Sequence, residues 1–72
     1  MAFTEATLVA QLDPTAGGRT IELQTYNPGA TYTNVYAIGV IGPYAGRSRW
    51  VQVDSSLTAS QAATAIQTAL TA

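Results

Sequence analysis

The stretch Tyr32-Thr33-Asn34-Val35-Tyr36-Ala37-Ile38-Gly39-Val40-Ile41 decides the fold class. It is rich in β-branched and aromatic residues, whose side chains fit a pleated, half-buried surface. Successive side chains of a strand point to opposite faces. One set is then Thr33, Val35, Ala37, Gly39 and Ile41; the other is Tyr32, Asn34, Tyr36, Ile38 and Val40. Both sets are largely apolar, which predicts a strand over residues 32–41 covered on both sides. The second cover would come from the rest of the domain or from another chain.

Turn chemistry brackets this strand. Before it, Asn27-Pro28-Gly29-Ala30 has Pro and Gly at the second and third positions of a type II turn. Residues 19–26 alternate ahead of that turn, with Ile21 and Leu23 facing one way and Thr20, Glu22 and Gln24 the other. After it, Gly42-Pro43-Tyr44-Ala45-Gly46 reverses the chain, and residues 48–54 return as a strand carrying Trp50, Val51 and Val53. Asp13-Pro14-Thr15-Ala16-Gly17-Gly18 reads as a further loop. Over residues 6–12 the alternation of Ala6, Leu8, Ala10 and Leu12 favours a strand. A short helix over residues 5–12 competes, because Thr4 could cap it and Leu8 and Leu12 lie four apart.

The C-terminal segment carries a helix signature over residues 59–71. Thr58 precedes Gln61 by three residues, the spacing of a capping box, and Leu57 sits where a hydrophobic staple begins. Ala62, Ala65, Ile66, Ala69 and Leu70 recur at three and four spacing and form one apolar stripe. The other face holds Ser, Thr and Gln and no charge, and no cation lies near the helix end in sequence. A helix of this length is marginal in water, so packing must hold it. The expected fold is therefore α+β: an antiparallel meander of three to four strands with one C-terminal helix packed on it, in one small domain spanning residues 1–72.

Composition narrows the chemistry more than any motif does. The chain has 72 residues, three arginines and four carboxylates, and no histidine, cysteine or lysine. Histidine is the side chain that titrates near neutrality, and cysteine and lysine are common nucleophiles. The many Ser and Thr hydroxyls thus have no base to activate them. Glu5, Asp13, Glu22 and Asp54 are scattered along the chain and suggest no acid–base pair. No catalytic residues, cofactor or metal site are expected. Residues 16–20 look flexible and slightly basic but lack the lysine and following helix of a phosphate-binding loop. Neither uncharged stretch offers the roughly 20 apolar residues of a membrane span, and no secretory signal layout opens the chain.

Small domains without disulfides or metals commonly gain stability from neighbours. A chain of this size buries roughly 60% of its unfolded surface, so association with copies of itself or with a larger assembly is expected. Arg47, Arg49, Trp50 and Tyr44 form a local arginine–aromatic cluster, in which strand alternation puts Arg47 and Arg49 on one face and Trp50 on the other. Such clusters serve protein hot spots and single-stranded nucleic acid alike. Trp50 in the core with the arginines on a solvated edge is the structural alternative. A formal charge of −1 makes nucleic acid the weaker partner.

In its charge-poor, Ala-, Thr- and Gly-rich character the chain resembles small virion structural proteins of tailed bacteriophages, such as capsid decoration and tail components. That resemblance implies a homo-oligomeric or lattice-bound protein, located in the virion or in host cytoplasm before assembly. It implies attachment through neutral surface, by apolar burial and backbone hydrogen bonds. Tyr32, Tyr36, Tyr44, Arg47, Arg49 and Trp50 are then the expected contacts, with the α-helical stripe as a second patch.

Overall fold

A computed structural model describes residues 2–12 and 20–72. Its elements, in chain order, are helix α1 (Glu5–Leu12), strand β1 (Ile21–Asn27), strand β2 (Tyr32–Gly39), a 3-10 turn (Gly42–Tyr44), strand β3 (Ser48–Asp54) and helix α2 (Ala59–Thr71). The strands pair antiparallel in the order β1-β2-β3, a meander with β2 at its centre. The fold is α+β, with a three-stranded sheet and two helices among the described residues.

Residues 5–12 form a helix and not a strand. The alternation misleads because Leu8 and Leu12, both fully buried, are also one helical turn apart. Local hydrogen bonds settle the choice. The Thr7 amide donates to Thr4 Oγ1 at 3.2 Å, and the Thr4 amide donates back to Thr7 Oγ1 at 2.8 Å. This is a capping box in which threonine replaces the usual Glu or Gln at the third helical position. Phe3 and Leu8 occupy the staple positions, and both are buried in the core. Glu5 in the first turn complements the helix dipole.

The α2 bounds agree with the sequence reading, and its capping box is complete: Gln61 N donates to Thr58 Oγ1 and Thr58 N to Gln61 Oε1. Both helices lie on one side of the sheet. α2 packs on β3 and β2, and α1 packs on α2 and β1. The core consists of Leu8 and Leu12 from α1, Ala62, Ala63, Ile66 and Leu70 from α2, and Ile21, Val35, Ala37, Val51 and Val53 from the sheet. Fully burying a Leu, Ile or Val side chain is worth about 1.5–3 kcal/mol.

The turn before β2 departs from expectation. A type II turn needs positive φ at its third position. Gly29 does not have it; only Gly42 and Gly46 do among the described residues, at φ 66° and 78°. Gly29 is needed for another reason, since a Cβ there would overlap the Tyr32 carbonyl. Ser55 holds this loop. Its amide donates to Thr31 O at 3.0 Å and its hydroxyl to Gly29 O at 2.7 Å. With its proton thus engaged, Ser55 Oγ accepts from buried Thr33 Oγ1 at 2.8 Å.

β2 ends at Gly39 and not at Ile41, because the chain folds back there. Tyr44 O lies where a Gly39 Cβ would be. The loop over residues 13–18 lies outside the described residues, as does most of the 16–20 stretch. The chain on either side of it is joined by the Thr20 hydroxyl, which donates to the Leu12 carbonyl at the end of α1.

Ala62 is fully buried, so Ala62→Leu overpacks the α2–sheet contact and should lower stability by about 1–3 kcal/mol. Ala65 is only half-buried, and Ala65→Leu should cost less. Urea unfolding measures both; an unchanged midpoint for Ala62→Leu would mean that α2 does not pack tightly on the sheet.

Candidate interaction surface

Strand alternation divides the sheet into a covered and an open face. In β2 the covered set is Thr33, Val35, Ala37 and Gly39, all buried. The open set is Tyr32, Asn34, Tyr36 and Ile38, exposed or half-buried. The expectation of cover on both sides is therefore corrected within this chain, where helices cover one face only. Val40 and Ile41, just past the strand, are 45% and 44% exposed.

Antiparallel register places the neighbours of the open set. Trp50 lies opposite Tyr36, Ser48 opposite Ile38, Gln52 opposite Asn34 and Asp54 opposite Tyr32. On the other side Glu22 lies opposite Ile38 and Thr25 opposite Tyr36. Trp50 is 58% exposed, and its ring meets Tyr36 edge-on at 5.3 Å between centroids, 62° between planes. Such pairs add about 0.5–1.5 kcal/mol beyond area burial. The Tyr36 hydroxyl donates to Ser48 Oγ at 3.1 Å, which fixes the ring further. Tyr36, Ile38 and Trp50 form an apolar centre, and the polar row Asn34–Gln52 separates it from Tyr32 at the end of the strand; an apolar centre with a polar rim is the anatomy of a protein-binding patch.

The arginine–aromatic cluster does not assemble. Arg49 lies opposite Ala37 and so shares the helix-covered side, across the sheet from Trp50. Arg47 Nη1 donates to the Leu70 carbonyl at 3.3 Å. The cation missing from the α2 sequence is thus supplied by the chain before β3, where it meets the negative helix end. Tyr44 packs half-buried against the core beside this contact. Within the α2 stripe, Ala62, Ile66 and Leu70 are spent on the chain's own core, and Ala65 and Ala69 are half-buried. Ala63, which the stripe omitted, is buried too. Ile38 was the apolar open-face position that aromatic clustering alone does not single out.

The open face carries the carboxylates of Glu22 and Asp54 and neither of the described arginines. Asp54 Oδ1 accepts from the Ser56 hydroxyl at 2.7 Å and the Ser56 amide at 2.8 Å. These two bonds, the hydroxyl first, hold its carboxyl below the ordinary aspartate range. On the opposite edge strand, β1, burial first and the Glu5 carboxylate second push the Tyr26 phenol above the ordinary tyrosine range. Among the described residues there is no cluster of three or more potential metal ligands and no pocket. No helix among the described residues is long and apolar enough to cross a membrane. Comparison with known protein families, curated proteins and solved structures finds no match to the chain.

The Asp54–Ser56 turn should respond to acid. A carboxylate whose folded pKa lies below its unfolded value stabilises fully above the unfolded value and stops doing so as pH falls through the folded one. The Ser56 amide resonance should therefore titrate below the ordinary aspartate range, and Asp54→Asn should abolish that titration. A Ser56 amide indifferent to acid would contradict the assignment.

Proposed function

We propose that the chain is a non-enzymatic assembly module that docks on protein neighbours through the open sheet face, as a small virion component such as a capsid decoration or tail protein. The observation that carries this reading is exposed Trp50 packed edge-on against half-buried Tyr36, with Ile38 beside them and Tyr32 further along the same face. Tyrosine and tryptophan give large contact area at small entropic cost, and they are enriched at binding hot spots. The residue inventory supports a role without chemistry, because it lacks histidine, cysteine and lysine. The charge-poor composition supports attachment by apolar burial and not by electrostatic steering. Nucleic acid is the weaker reading: base stacking wants arginine and aromatics on one surface, and the sheet separates Arg49 from Trp50.

Purified particles test the reading. The chain should be present at a fixed copy number, and Trp50→Ser should reduce its incorporation while leaving the core untouched. Incorporation should change little between low and moderate salt, whereas phosphate binding would weaken steeply. Absence from particles would overturn the virion assignment, and full incorporation of Trp50→Ser would overturn the docking face.

A further inference from the structure

The two edges of the sheet differ. β1 is interrupted by a bulge between Leu23 and Thr25, a device that twists an edge away from further pairing. β3 has neither bulge nor proline and pairs with β2 in unbroken register from Ser48 to Asp54. Among the described residues no strand lies beyond it. The ladder alternation can be read from its flanks. Gly39 N donates to Arg47 O, and Ser55 N donates to Thr31 O. Residues 49, 51 and 53 therefore turn their backbone groups toward β2, and Ser48, Trp50 and Gln52 turn theirs outward. No described residue bonds to those outward groups.

We propose that β3 pairs antiparallel with β3 of a second copy, in a register centred on Val51, making one continuous six-stranded sheet. This inference rests on the assembly reading and names a partner for it. The two-fold axis would run perpendicular to the sheet, so helices stay on one side and the open faces join. Centring on Val51 overlaps the whole strand and matches outward groups with outward groups. Trp50 and Gln52 of one copy exchange both backbone hydrogen bonds with Gln52 and Trp50 of the other. Ser48 then faces Asp54 as donor to carboxylate, and Arg49 faces Val53, so neither like-charged pair is brought opposite itself.

Two further features fit this partner. α2, the helix packed on β3, has no charged side chain, so a second copy alongside meets no like charge there. On the open face the two indoles become diagonal neighbours, within reach of aromatic side chains. The Tyr36–Trp50 pair of each copy thereby joins a longer aromatic row. Edge pairing of one short strand covers less than the about 800 Å² per partner of a standard interface, so the dimer should depend on concentration.

Amide hydrogen exchange across a concentration series, with sedimentation alongside, tests the pairing. Val51 and Val53 amides should be protected at every concentration. Trp50 and Gln52 amides should exchange freely when dilute and slow by about tenfold when free chain stands at ten times the dissociation constant. Gln52→Pro removes an outward N–H and no bond to β2, so it should keep the fold by circular dichroism and lose the dimer, leaving a 7.5 kDa species. A dimer in which Trp50 and Gln52 amides never become protected would overturn edge pairing and leave face docking standing. A chain monomeric at all concentrations would also overturn it, while particle incorporation would still decide the assembly reading separately.

Discussion

Burial between the leucines of two short helices and the middle of β2 holds everything else in place. Leu8, Leu12, Ile66 and Leu70 close over Val35 and Val53, and all six are fully buried. A domain this small cannot build a second such layer. Neither helix would persist in water by its own propensity, so each exists because the sheet receives its apolar side. The same limit leaves the sheet one-sided. The helices are used up on one face, and residues of the other, Tyr36 and Trp50 above all, remain in view of solvent and neighbours.

Much of this was legible in the residues themselves. β3 and α2 have the bounds the sequence implies, since Gly46 and Thr58 are strong local punctuation and α2 has a full capping box. The first helix was obscured because an alternating run of Ala and Leu satisfies both periods, and because Thr7 fills the place where Glu or Gln would announce a cap. The sequence also implied that both faces of β2 are covered. Apolar composition reports affinity for cover; it does not report whether the same chain provides it.

The candidate site shows the same limit. Tyr32, Tyr36 and Trp50 were identifiable from residue type, and register brings them to one surface. Alternation also put Arg47 and Arg49 on the face away from Trp50, and the register agrees for Arg49, but it did not show what Arg47 meets. Neighbours in sequence are divided by the sheet, and Arg47 turns to the Leu70 carbonyl, which is far away along the chain. Ser55 was equally hidden: nothing in its local sequence shows that it ties the Gly29–Thr31 loop to the end of β3. Long-range polar contacts of this kind leave no periodic trace.

The caps have one further consequence. Both helices begin on threonine hydroxyls, closed by Thr7 in one case and by the Gln61 amide in the other. Neutral joints of this sort neither titrate nor attract counterions. The caps themselves are thus built to hold while the acidity and ionic make-up of the surroundings change, and sensitivity to such change is left to Glu5 in the first turn of α1, Arg47 at the end of α2 and the turn at Asp54.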